Sequence, residues 1–274
     1  MVWYTRDMEW MICLLVFVFL FGLCIGSFLN VLIYRLPRSI SPIKGRSFCP
    51  KCKKKIFWYN NIPLLSFILL RGKCRFCHSP ISWQYPLVEL LTGVLFVMVV
   101  LFLSPMQDYW MTGLLDDWII DLLIYWFLIS TFIVIFFTDL RHQIVPDEVV
   151  YPAILIAFLF LITNYQLLIT NYLLSAFGAG LFFLILHLIT RRKGMGLGDV
   201  KLAILMGLVL GFPKIIVALY LAFLTGALVG VILILARKKK FGEHIPFGPF
   251  LSGATIIALF WGEEIMKWFT ARFF

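Results

Sequence analysis

The 274-residue chain is 62% hydrophobic and only 14% charged, with a mean hydropathy of +0.98. Such a balance excludes an ordinary soluble domain, in which about a quarter of the residues are charged, and places the chain in a bilayer. Its net charge of +10 fits membrane topology and a basic surface facing anionic lipid, and argues against nucleic-acid binding.

Trp10 to Tyr34 is a 25-residue uncharged run, longer than the roughly 20 residues needed to cross about 30 Å of hydrocarbon. Asp7 and Glu9 precede it and no small-residue cleavage site follows before GSFLN, so a retained helix is expected instead of a cleaved signal. Gly22, Gly26 and Ser27 let helices approach closely and Asn30 can bond across them. Helix packing and substrate contact both stay open for this segment.

The loop Arg35 to Tyr85 carries eleven basic residues between Arg35 and Arg75. It also holds CPKC, with Cys49 and Cys52, and CRFC, with Cys74 and Cys77, separated by 21 residues. Paired CxxC turns bring four thiolates to one tetrahedral zinc shell, and the gap lies just beyond the usual spacing. A loop this small has little core of its own, so a metal staple is expected to hold it. His78 follows the last cysteine and could compete as a ligand, but four thiolates already close a structural site. Cys13 and Cys24 lie inside the first span as small packing residues. Phe57, Trp58, Tyr59, Trp83 and Tyr85 suit a module lying against the membrane interface. Glu89 then enters the second span. It is either a first-turn interface glutamate or a functional acid.

Further spans are expected at about Tyr85 to Leu103, Trp118 to Thr138, Val149 to Ile162, Tyr172 to Thr190, Val200 to Gly211, Ile215 to Ala236 and Phe247 to Trp261, which makes eight. Alternation of these spans gathers the basic residues on one side, leaving Arg6, Lys214, Lys267 and Arg272 on the other. By the positive-inside rule the cysteine loop is cytoplasmic and both termini face outward. Cytoplasmic placement favours metal over disulfides.

Few acids lie near the spans. Asp108, Asp116, Asp117 and Asp121 suit a solvated outward loop and helix start, and Glu263 and Glu264 suit the interface. Asp139 ends the apolar run FLISTFIVIFFTD. Asp199 closes GMGLGD, whose glycines permit an irregular backbone at a helix start. Two carboxyls brought together in a low-dielectric site cannot readily both ionise, which suits general acid and base work on water. Asp147, after Pro146, is the rival of Asp139 and also fits an N-cap, and hydropathy and charge do not choose between them. His142 reads as a loop residue. PFGPFL could break and re-aim the last helix or line the site.

Seven ordered motifs carry a resemblance. They are GSFLNVLIYRLP (Gly26 to Pro37), CPKC followed by NIPLLS (Asn61 to Ser66), LRGKCRFC (Leu70 to Cys77), ISWQYPLVE (Ile81 to Glu89), TDLRHQIVPD (Thr138 to Asp147), GMGLGDVKL (Gly194 to Leu202) and PFGPFL (Pro246 to Leu251). Over nearly its whole length the chain resembles the type IV prepilin peptidases, aspartic peptidases of the GxGD class. The resemblance implies Asp139 and Asp199 as the catalytic pair and prepilins and pseudopilins as substrates, cleaved after glycine on the cytoplasmic side. It also implies N-methylation of the new N-terminus from S-adenosylmethionine, an activity tied to the cytoplasmic module, with Glu89 as a candidate for that site. The setting would be the cytoplasmic (inner) membrane of a bacterium.

The expected architecture is thus an all-α polytopic membrane protein of about eight transmembrane helices, with a zinc-stapled cytoplasmic module between helices 1 and 2. Residues 1–104 would form the N-terminal region and 105–274 a six-helix peptidase region. Two other readings remain: a polytopic transporter with a regulatory zinc module, and a cysteine module that docks partners without methyl transfer.

Overall fold

The computed structural model describes residues 2–103, 115–164, 168–190, 195–238 and 245–273. Asp108, Arg191, Arg192, Lys193, Gly194, Lys239 and Lys240 lie outside the described residues, as do the side chains of Arg6, Asp7, Asp116 and Asp117. The described chain is helical, with two isolated β-bridges in the cysteine loop. Its α-helices are α1 (Val2–Arg35), the short α2 (Leu65–Leu69), α3 (Gln84–Leu103), α4 (Leu115–His142), α5 (Asp147–Asn164), α6 (Ile169–Ile189), α7 (Leu197–Leu210), α8 (Lys214–Leu235) and α9 (Gly248–Phe273). A helix stands at each of the eight hydrophobic runs, and among the described residues six are long and apolar enough to cross a membrane: α1, α3, α4, α5, α6 and α8. The two others differ for different reasons, since α7 has only 14 residues and α9 carries Glu263, Glu264 and Lys267.

The chain divides into two compact units, Met1–Ile133 and Val134–Phe274. In the first, α1 and α3 run antiparallel in near backbone contact. A Cβ on Gly22 would lie 2.7 Å from Gly93 Cα, and one on Gly26 would lie 2.7 Å from Glu89 Cα. One turn further on, Asn30 Nδ2 donates to Tyr85 O at 3.1 Å. GSFLN is therefore a packing segment in this unit, where small residues replace side-chain bulk with backbone contact. Trp126 stacks on Phe96 with ring centroids 4.7 Å apart and donates its indole N–H to Phe96 O at 3.1 Å.

In the second unit α7 is the central helix, packed against α5, α6, α8 and α9. Leu202, Ala203, Leu205 and Met206 are fully buried, as expected of a helix that is apolar on all sides. Its antiparallel pairing with α6 is tight. A Cβ on Gly207 would meet the backbone of Ala176, and one on Gly180 would lie 2.6 Å from Ile204 Cγ1.

Candidate functional site

Asp139 sits in the last turn of α4. The N–H of Gln143, in a left-handed conformation (φ 54), donates to Asp139 O at 2.9 Å and ends the helix. A carboxylate near a helix C-terminus is disfavoured by the helix dipole, and this one is also buried, at 5% exposure. Compensation comes from α9, whose first residue, Gly248, donates its N–H to Asp139 Oδ2 at 2.9 Å. A Cβ at Gly248 would stand 2.6 Å from that oxygen. PFGPFL thus starts the last helix and supplies a backbone hydrogen-bond donor to Asp139.

Asp199 occupies the first turn of α7, where the dipole favours an anion, and is 7% exposed. Its Oδ2 accepts the N–H of Gly196 at 3.2 Å. Gly198 is required by space, since a Cβ there would lie 2.9 Å from Val145 Cβ. Gly196 has nothing nearer than 3.8 Å. Asp139 and Asp199 lie in one unit and interact electrostatically. Asp147 does not join them. It lies in the first turn of α5, more than half exposed, with Lys201 Nζ 2.7 Å from its Oδ1. Glu263, also exposed, pairs with Lys214 at 3.0 Å.

Two further buried groups lie near the aspartates. His187, buried on α6, places Nδ1 2.7 Å from Met195 O. The hydroxyl of Thr138, next to Asp139, is fully buried with no hydrogen-bond partner among the described residues.

The first unit holds the four cysteines as free thiols, with all four Sγ atoms within 4.8 Å of one another and Cys49 Sγ 3.9 Å from Cys77 Sγ. A tetrahedral zinc thiolate with bonds of about 2.3 Å needs sulfurs about 3.8 Å apart, so the set fits one metal ion after slight contraction. Both turns follow one template. Cys49 N–H donates to Lys54 O and Lys53 N–H to Cys49 O, while Cys74 N–H donates to Ser79 O and His78 N–H to Cys74 O. Lys53 and His78 hold the same left-handed position, φ 57 and φ 53, so His78 serves the turn and lies outside the sulfur cluster. The Ser79 hydroxyl, 3.1 Å from Cys77 Sγ, holds that thiol down to about 6, while Cys52 in the same cluster is pushed up to about 11.

Glu89 is buried and its Oε2 accepts the N–H of Leu64 at 2.9 Å. Leu64 has φ 57, a costly conformation for leucine that this bond helps to hold. Glu89 therefore ties α3 to the NIPLLS segment and is not a solvated interface acid. Arg35, which the sequence presents as a topology charge within GSFLNVLIYRLP, is 4% exposed. Its guanidinium donates to the carbonyls of Ser41 (2.9 Å), Pro42 (3.4 Å), Lys44 (2.8 Å), Gly45 (3.5 Å) and Arg46 (3.3 Å).

Residues 20–103 match the Bacterial Peptidase A24 N-terminal domain, and residues 126–231 match the Type IV leader peptidase family. The chain is 37% identical to a prepilin leader peptidase/N-methyltransferase of Aeromonas hydrophila, over 93% of each chain. Proteins of the same name from Legionella pneumophila and Pseudomonas aeruginosa are 35% and 34% identical, over 91% and 90% of this chain and 92% and 90% of theirs. No solved structure matches. The ordered motifs, the buried aspartates and these full-length relatives agree: the chain belongs to the type IV prepilin leader peptidase family.

Proposed function

We propose that Asp139 and Asp199 form the dyad with which this protein cleaves prepilin and pseudopilin leaders, and that it then N-methylates the exposed terminus. The carrying observation is that both carboxyls are buried within one compact unit, each with a backbone N–H donor at a helix N-terminus. Helix N-termini stabilise the anionic form that burial penalises, so one carboxylate can stay charged beside a protonated partner. The charged carboxylate takes a proton from water as the water oxygen bonds to the scissile carbonyl carbon, and the partner gives its proton to the carbonyl oxygen. Collapse of the tetrahedral intermediate breaks the C–N bond as a proton passes to the leaving nitrogen, with no covalent intermediate. Cleavage after glycine on the cytoplasmic side suits a substrate whose basic leader stays in the cytoplasm while its apolar stem lies in the bilayer.

S-adenosylmethionine supplies the methyl group for the new amine. A groove of about 620 Å³ at the end of α1, lined among others by Ser27, Phe28, Arg35, Asn61 and Pro63, is a candidate to hold this donor. Glu89, through Leu64, fixes the Asn61–Pro63 wall. Cys49, Cys52, Cys74 and Cys77 hold a structural zinc that shapes the module. The membrane region comprises eight spans with both termini outside, in a bacterial inner membrane contacting its lipid, with residues 1–104 serving methylation and 105–274 cleavage. Transport is not favoured, since the family is a peptidase family.

The test is a reaction of the purified full-length protein with a prepilin and labelled S-adenosylmethionine, read by mass for leader loss and methyl gain. Asp139→Asn and Asp199→Asn are each expected to abolish cleavage while the protein still inserts. Full processing by both would overturn the dyad.

A further inference from the structure

We infer that His187 is a positioning residue for Asp199, acting through the single peptide group that joins Met195 to Gly196. This inference rests on the reading of Asp199 as catalytic. His187 lies on α6, buried at 5% exposure, two residues before that helix ends. Its Nδ1 stands 2.7 Å from Met195 O. A carbonyl oxygen can only accept, so Nδ1 carries the proton and donates it. The same peptide unit presents its other end to the aspartate, because the Gly196 N–H donates to Asp199 Oδ2 at 3.2 Å. Imidazole, peptide group and carboxylate therefore form one hydrogen-bonded row.

The arrangement has two physical effects. A peptide flanked by glycine turns easily about its neighbouring bonds, and a bond on its carbonyl fixes the direction in which its N–H points. Withdrawal of electron density at the carbonyl also makes the opposite N–H a better donor, as in any hydrogen-bonded chain. No side chain of the GMGLGD segment itself makes the bond to Met195 O. It comes from the neighbouring helix, whose register against α7 is set separately by the contacts of Gly207 with Ala176 and of Gly180 with Ile204. Loss of the imidazole should therefore release the peptide without undoing the helix pair.

The experiment compares His187→Ala and His187→Asn in the full-length protein with a prepilin substrate, measuring kcat and KM for cleavage and the thermal transition in detergent. The Asn amide nitrogen occupies the place of Nδ1 and donates without titrating. His187→Ala is expected to lower kcat roughly 10- to 100-fold, the scale of a small misplacement of a reacting group, with KM within about twofold. His187→Asn is expected to recover most of that loss. Wild-type kcat in His187→Ala, or equal impairment of both variants, overturns the proposal even where the alanine variant folds poorly. Asp199→Asn run in parallel separates the two readings. If it is inactive while His187→Ala is normal, the dyad stands and the role of His187 falls; if Asp199→Asn is active, the dyad itself falls.

Discussion

Gly248 donates its backbone N–H to Asp139 Oδ2 at 2.9 Å across 109 positions of sequence, and the same glycine leaves no room for a Cβ, which would stand 2.6 Å from the carboxylate. Gly248→Ala must therefore move either the carboxylate or the start of α9. Cleavage should fall roughly 10- to 100-fold, while insertion and methylation of an already cleaved pilin persist. Parallel assays of the two activities on one preparation check this.

The glycines of GMGLGD should not be equivalent. Gly198→Ala places a methyl group 2.9 Å from Val145 Cβ, whereas Gly196→Ala meets nothing closer than 3.8 Å and already has a negative φ. Loss of cleavage is expected for the first and near-normal turnover for the second. Equal behaviour in a prepilin assay would contradict the geometry.

Asp147 offers a control for Asp139. Its partner Lys201 and its exposure make it a surface ion pair, worth about 0–1 kcal/mol. Asp147→Asn should keep cleavage within about twofold. Asp139→Asn should lose about 10²- to 10⁴-fold, the range for a general acid or base.

Arg35→Lys keeps the positive charge but cannot present a planar fork of donors to the Ser41–Arg46 loop. Carbonyls left without a partner cost about 1–3 kcal/mol each where buried. Faster proteolysis within residues 41–46, with unchanged membrane insertion, is the expected signature in a time course.

Metal analysis of the purified protein should find about one zinc per chain, the stoichiometry of a four-thiolate site. Cys49→Ser or a strong chelator should remove it and expose the module to protease. Methyl transfer should suffer more than leader cleavage, since the cysteines and Asp139 belong to different compact units.

Hydropathy was enough to place a helix at each of the eight apolar runs, because the bilayer demands long apolar segments with internally satisfied backbones. Cysteine spacing likewise pointed to the sulfur cluster, since each CxxC closes its own turn. The choice between Asp139 and Asp147 was not legible in residue types, and came from family resemblance. Burial separates them in the fold, and burial depends on α9, which begins a hundred residues later. His187 and Arg35 were missed for a related reason. Both act on backbone carbonyls, which every residue possesses, so even where Arg35 falls inside GSFLNVLIYRLP its partner is not written in the sequence.

The shared template of the two cysteine turns has a consequence for how the module can evolve. Each knuckle closes on its own backbone and contributes half of the sulfur set, so neither half can complete a metal shell alone and the two must order together. The intervening stretch closes the first knuckle at Lys53 and Lys54 and carries the Leu64 that Glu89 holds. The 21-residue spacer is therefore anchored to the first knuckle and, at Leu64, to α3, so remodelling it would disturb the knuckle and the Asn61–Pro63 wall together.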